Sequence, residues 1–284
     1  MNPRRALVIA AAVLVAGSLS LVAVKAATAN HGGTGDVPRA APPPPAPPRD
    51  HPPQPLGRTG WVPAFSDEFE GSSLDTSKWA DASSAEADDG HGNKDNEQLE
   101  WNEAANCVVS GGELDMTARR QSFTAPSGAG YDWTSCLLST TPSFAFQYGY
   151  VEERAVLPAQ KGFWPAFWTW QAPGVDAPVE TDVYEFYSSN RHELELTQHS
   201  EGSSTCRWHP RFDPAADWHT YAASIEPSGT VWYVDGAEVC RTAATSSGMT
   251  NIISNLAVHA EDPPDPAVTS AVKRIDYIRA WQRP

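Results

Sequence analysis

Three carboxylates carry the clearest chemical signal in this chain: Glu180, Asp182 and Glu185, within Val179-Glu180-Thr181-Asp182-Val183-Tyr184-Glu185-Phe186. Their β-branched and aromatic neighbours predict a strand. On a regular strand Glu180 and Asp182 share a face, and Glu185, an odd number of positions on, points to the other. A β-bulge at Val183 or Tyr184 would absorb one position and turn Glu185 back, so that all three acids line one face. The Glu180 and Glu185 backbones would then lie about 13 Å apart at roughly 3.3 Å per step. Two glutamates leaning inward on a concave sheet could largely close that gap. Carboxyl pairs about 5 to 5.5 Å apart break glycosidic bonds with retention, one as nucleophile and the other as acid and then base.

An alternating acidic face is ordinarily the solvated side of an antiparallel sheet. Two features weigh against that here. Like charges stacked on one strand face repel, and such stress tends to mark functional sites. The preceding segment, Phe163-Trp164-Pro165-Ala166-Phe167-Trp168-Thr169-Trp170, is apolar on both faces, too aromatic for a strand with a plain wet side. Alternation puts Trp164, Trp168 and Trp170 on one face and Phe163 and Phe167 on the other. Periodicity leaves open which face is the cleft, and only one or two of the indoles are expected to serve as sugar platforms.

The elements that must hold these residues are strands. The chain has eleven Trp, eight Tyr and nine Phe, in short apolar runs punctuated by Gly, Pro, Asn and Asp, with hardly any helical-period stretch. Residues 58–284 suit one large β domain, an all-β sandwich. Residues 107–109 and 113–118 flank Ser110-Gly111-Gly112, and residues 230–234 run into Asp235-Gly236 before 237–240; both read as hairpins. Residues 272–281 form a last strand, with Ile275, Tyr277 and Arg279 expected on one face.

The amino-terminal part is of another kind. Arg4 and Arg5 precede a small, apolar run over residues 6–24, and Ala27-Thr28-Ala29 offers a cleavage site. Residues 1–29 therefore read as a secretory signal or, since the run is long enough, an uncleaved anchor facing the domain outward. Residues 30–57, with Pro42-Pro43-Pro44-Pro45-Ala46-Pro47-Pro48, are a semi-rigid spacer. In an exported chain, Cys107, Cys136, Cys206 and Cys240, with no Cys-x-x-Cys pair, point to disulfides over zinc. Pairing Cys107 with Cys136 and Cys206 with Cys240 is favoured, because each pair lies on strands close in chain order. A net charge of −15 argues against nucleic acid or an anionic membrane as partner and disfavours acidic polysaccharides. A neutral glycan suits an acidic, indole-lined cleft, and the domain is expected to act as a monomer.

Together these motifs resemble glycoside hydrolase family 16, the laminarinase and lichenase-like retaining β-glycanases. The resemblance covers nearly all of residues 61–284. Phe65-Ser66-Asp67-Glu68-Phe69 with Leu74-Asp75-Thr76-Ser77-Lys78-Trp79 is similar to the family's opening; Asn96-Glu97-Gln98 follows, then Tyr148-Gly149-Tyr150-Val151-Glu152-Glu153-Arg154 and Lys161-Gly162-Phe163-Trp164-Pro165-Ala166-Phe167-Trp168. The signature E-x-D-x-x-E falls on Glu180, Asp182 and Glu185, and Ile275-Asp276-Tyr277-Ile278-Arg279 closes the series.

The resemblance implies a β-jelly roll of two curved antiparallel sheets with the substrate cleft on the concave face. It implies an endo-acting hydrolase of a β-linked neutral polysaccharide, foremost a β-1,3-glucan. Glu180 would be nucleophile, Glu185 general acid and base, and Asp182 would share a proton or hydrogen bond with Glu180. Asn96, Arg154, Trp164, Trp168 and His199 are the implied sugar-binding residues. The chemistry needs no cofactor, but some members hold a structural calcium on the convex side, and Glu68 with Asp276 would be its ligands here. The same fold and intermediate also serve transglycosylases, and lectin-like relatives bind glycans without cutting them, though these commonly lack a catalytic carboxylate. Two departures bear on substrate choice: Thr181 follows the nucleophile position, and His259-Ala260-Glu261-Asp262 replaces a loop that is usually rich in glycine.

Overall fold

The computed structural model describes residues 55–57, 59–175, 179–200 and 202–284. The segment expected to direct export and nearly all of the expected spacer lie outside the described residues. Two curved sheets pack face to face as a jelly roll. The six-stranded sheet runs, edge to edge, Gly202–Trp208, Leu194–Ser200, Glu180–Glu185, Phe163–Gln171, Thr250–Val258 and Leu137–Ser139. The larger sheet runs Ala237–Thr242, Gly229–Val234, His219–Glu226, Gly149–Val156, Ser270–Gln282, Glu113–Arg119, Trp133–Ser135 and Glu100–Asn102. Val62–Asp67 pairs with Ser270–Gln282, and Cys107–Ser110 with Glu113–Arg119. Pairing is antiparallel except between Glu100–Asn102 and Trp133–Ser135, which run parallel.

Alternation builds the core. Along Glu113–Arg119, Leu114, Met116 and Ala118 are buried while the residues between them are half-exposed. From the facing sheet, Phe163, Phe167, Ile252, Leu256 and Val258 meet Val151, Ala155, Trp232 and Ile278 of the larger one. Burial of large side chains at about 25 cal/mol per Å² is the main stabilising term. Both expected hairpins form. Gly111 and Gly112, and Asp235 and Gly236, all take positive φ, the backbone that a tight two-residue turn between twisted strands requires.

The last strand departs from the expected pattern. Ile275 joins the core with Ile278 and Ala280, whereas Tyr277 donates to Glu152 and Arg279 pairs with Glu68 on the outer face. The register against Gly149–Val156 slips between Ile275 and Tyr277, so Asp276 is an extra residue there and Ile275 no longer shares a face with Tyr277.

Both favoured disulfides are present. Cys107–Cys136 has its Cα atoms 5.3 Å apart, and Cys206–Cys240 joins the outermost strand of the smaller sheet to the outermost strand of the larger. The second closes one side of the sandwich.

Ahead of Glu100–Asn102, a loop folds against the edge of the smaller sheet and buries Glu86 beside Glu100. The Gln98 amide, oriented with its nitrogen toward them, donates to Glu86 Oε2 at 2.9 Å and Glu100 Oε1 at 3.2 Å. The Val258 amide donates to Glu100 Oε2 at 2.7 Å. Burial still dominates, raising Glu86 to about 7 and Glu100 to about 8 from an ordinary 4.5.

The Cys107–Cys136 cross-link spans 29 residues, and C107S/C136S should lower unfolding stability by roughly 3 to 4 kcal/mol in denaturant melts. An unchanged midpoint would contradict this. Because folded Glu86 and Glu100 keep protons that the unfolded chain has released, their contribution to stability is full below about pH 4.5 and is lost as pH rises toward 7 to 8. Each group contributes at most about 1.4 kcal/mol per pH unit spanned. Denaturation at pH 5 and pH 7.5 should show the fall, and E86Q/E100Q should reduce it; an equal or steeper fall in the variant would count against the assignment.

Candidate active site

The acidic strand carries one residue too many. Against Phe163–Gln171, Phe167 pairs with Tyr184 and Trp168 with Asp182, leaving Val183 extra; on its other side the register slips between Asp182 and Glu185 as well. Val183 and Tyr184, adjacent in sequence, therefore both enter the core, and Glu180, Asp182 and Glu185 all line one cleft. The bulge frees the Asp182 carbonyl from regular pairing, and the Trp232 indole N–H donates to it at 2.8 Å from across the sandwich.

The cleft is a cavity of about 520 Å³ on the outer, concave face of the six-stranded sheet. Trp164, Trp168 and Trp170 all line it, more than the one or two expected. Inward Phe163, Phe167 and Thr169 are buried on the opposite face, which resolves the alternation. Trp168 is held by an N–H bond of 3.1 Å to Asn255 Oδ1 and packs edge-on to Trp170.

Glu185 Oε1 accepts from Trp164 Nε1 and from the Tyr187 hydroxyl, both at 3.2 Å. With one oxygen occupied by two donors, Oε2 is left as the atom to carry a proton. His259 packs edge-on against both Trp164 and Tyr187 and so backs the two donors. His199 Nε2 lies 3.0 Å from Asp182 Oδ2, while its Nδ1 meets the Ser203 hydroxyl at 2.9 Å.

All three carboxyls titrate well above the ordinary carboxylate range. Burial is the largest cause in each case. Asp182 then raises both glutamates further, and His199 opposes that rise at both. Three buried acids this close cannot all ionise at neutral pH, so the set holds protons collectively. That is the condition for one carboxylate and one carboxylic acid to coexist in a single site.

The structure separates the remaining sequence-based expectations. Asn96, Trp164, Trp168 and His199 line the cleft. Arg154 does not: alternation along Gly149–Val156 turns it outward on the opposite sheet, where it pairs with Asp276 at 2.7 Å and lies over Trp218. Glu68 and Asp276 each face an arginine. Arg279 grips Glu68 through Nε at 2.8 Å and Nη2 at 2.7 Å, and Arg154 holds Asp276, so each carboxylate already faces a cation. Among the described residues, the groups bringing three metal-type ligands within 4.8 Å are Glu97, His259 and Glu261 at the rim, and Glu180, Asp182 and His199 in the cleft.

Several lining residues were not foreseen: Glu86, Asn93, Asp95, Gln98, Tyr187 and Asn255. Tyr187 stands two positions after Glu185, so plain alternation could have found it. Glu86 lies in a loop without periodicity and left no signal.

Comparison with known proteins agrees with this geometry. The family model described as glycosyl hydrolases family 16 matches residues 93–277. The endo-1,3-1,4-beta-glycanase ExsH of Rhizobium meliloti is 37% identical over 182 residues, covering 61% of this chain and 39% of that protein. The glucan endo-1,3-beta-glucosidase A1 of Niallia circulans is 28% identical over 260 residues, covering 77% and 37%. The chain thus spans about two-fifths of the length of these relatives. The endo-beta-1,3-glucanase of Pyrococcus furiosus superposes with a TM-score of 0.70 at 27% identity, over 79% of this chain and 95% of that one. With the E-x-D-x-x-E strand, the jelly roll and a matched region running through both, this chain belongs to glycosyl hydrolase family 16.

Proposed function

We propose that this domain cleaves internal bonds of a β-glucan, foremost a β-1,3-glucan, by double displacement with retention of configuration. The observation that carries the reading is the extra residue Val183, which brings Glu180, Asp182 and Glu185 into one tryptophan-lined cleft. Internal cleavage is supported by the endo-acting relatives named above.

Glu180 attacks the anomeric carbon while Glu185, protonated on Oε2, gives its proton to the leaving oxygen. Once its proton has gone, Glu185 is stabilised as a carboxylate by Trp164 and Tyr187, and it then takes a proton from the water that resolves the glycosyl-enzyme. Asp182, backed by His199, adjusts the charge at Glu180 as the covalent bond forms and breaks. The indoles supply flat apolar faces for sugar C–H surfaces, and Asn93, Asn96, Gln98 and Asn255 offer amides to hydroxyls. Among the described residues lining the cleft, five are carboxylates and none is lysine or arginine, which favours a neutral glycan over a polyanion. The two disulfides support work in an oxidising, extracellular compartment.

Azide rescue tests the division of labour. E180A leaves room for azide at the nucleophile's position, so an aryl glycoside should yield a glycosyl azide of inverted configuration. E185A should still form the glycosyl-enzyme from an activated aryl glycoside, and azide should resolve it with retention. Both should lose about two to four orders of magnitude or more on polysaccharide. Configuration is read by NMR: swapped outcomes would reverse the roles, and near wild-type polysaccharide cleavage in either variant would discard them.

A further inference from the structure

Directly beneath the cleft, on the core side of the acidic strand, lies an ion pair that the reaction scheme above does not use. Lys273 and Glu153 are both fully buried, with Lys273 Nζ 3.2 Å from Glu153 Oε1. Burying two charges is costly and seldom the cheapest way to fill a core, because a hydrophobic pair of similar volume is often as stable. The remaining contacts of the pair point to what it does there.

Each contact runs to the backbone or side chains around the bulge. Lys273 Nζ donates to the main-chain oxygen of Ala166 at 3.0 Å, and Ala166 is the residue paired with Glu185. It also donates to the Ser254 hydroxyl at 2.7 Å, which in turn donates to Glu153 Oε1 at 2.7 Å. Glu153 Oε2 accepts the Tyr184 hydroxyl at 2.6 Å, and Tyr184 is the second core-facing residue of the bulge, immediately before Glu185. The ammonium lies 5.2 Å from the Tyr184 ring centroid. Lys273 and Glu153 come from the larger sheet, whereas Ala166, Tyr184 and Ser254 come from three neighbouring strands of the cleft sheet. The ion pair therefore ties the residue before Glu185 and the residue across from it to one rigid point in the opposite sheet.

We propose that Lys273 and Glu153, acting through Tyr184 and Ala166, are positioning residues that fix the bulge and aim the Glu185 carboxyl at the leaving-group oxygen. This rests on the reading of Glu185 as general acid. An apolar core would leave Tyr184 free to settle wherever packing allowed, whereas a hydroxyl bound to a buried carboxylate has one place to be. Lys273 lies on the far side of the sheet from substrate and touches no reacting group.

The test is the paired replacement E153L/K273M, which keeps volume and leaves neither charge unpaired, alongside Y184F, which removes only the hydroxyl. Kinetics on a β-glucan, whose leaving group needs a proton, are compared with those on a dinitrophenyl glycoside, whose leaving group does not. Glycosyl-enzyme formation is the step followed. With the acid misaimed, the rate of glycosyl-enzyme formation from the polysaccharide should fall about 10- to 100-fold, since a displacement of about 1 Å can cost that much. KM should stay within about threefold, and the activated substrate should lose less than about threefold. Y184F should show the same pattern in weaker form. Parallel losses on both substrates, or no loss on either, would overturn the proposal. A crystal structure of E153L/K273M gives a readout independent of activity: the Glu185 carboxyl should be displaced relative to Glu180, and an unmoved carboxyl would equally overturn it. If the unmodified domain cut neither substrate, the assignment of function would fail, and the displacement alone would decide the positioning claim.

Discussion

One unpaired residue, Val183, governs the site. A strand with strict alternation cannot present Glu180, Asp182 and Glu185 to the same side, because the spacing between the second and third is odd. The bulge corrects this by sending Val183 and Tyr184 into the core together. Its cost is a disturbed ladder, and the opposite sheet offsets that cost. The Trp232 indole takes the freed Asp182 carbonyl, Glu153 takes the Tyr184 hydroxyl and Lys273 takes the Ala166 carbonyl. The sandwich is thus more than a platform, since groups of its second sheet hold the irregularity on which the chemistry of the first depends.

The electrostatics follow from that geometry. Burial raises the proton affinity of all three acids most, and Asp182 raises that of both glutamates further. The donors are distributed unevenly. Trp164 and Tyr187 converge on one oxygen of Glu185, and His199 addresses Asp182. Chemically identical side chains are differentiated by what faces them, as paired carboxylates that do different work must be. With no lysine or arginine among the described residues of the cleft wall, a neutral sugar meets carboxylates, amides and indoles, whereas a polyanion would be repelled.

Much of this was legible in the sequence for stated reasons. The odd spacing of Asp182 and Glu185 required a bulge, and the structure places it at one of the two positions named. The glycine-bearing turns marked both hairpins, and the strand order of the cysteines gave their pairing. What could not be read was long-range or aperiodic. Alternation of the tryptophans could not say which face was the cleft until a second sheet covered Phe163 and Phe167. Arg154 sat in a suggestive motif but on the wrong sheet, and one extra residue at Asp276 turned Tyr277 away from Ile275. That Glu68 and Asp276 face arginines could not be read either, because those partners are distant in sequence or masked by register. The Glu153 and Lys273 pair was hidden for the same reason, since neither residue type signals burial by itself.

Trapping the covalent intermediate and finding the residue that carries it tests the roles of these carboxyls most directly. A 2-deoxy-2-fluoro β-glucosyl donor with an activated leaving group slows both steps but resolution more, so the label should accumulate on the nucleophile. Peptide mapping by mass spectrometry should then find one sugar on the peptide bearing Glu180. A label on Glu185 or Asp182, or turnover of the donor with inversion and no labelled peptide, would contradict the arrangement described here.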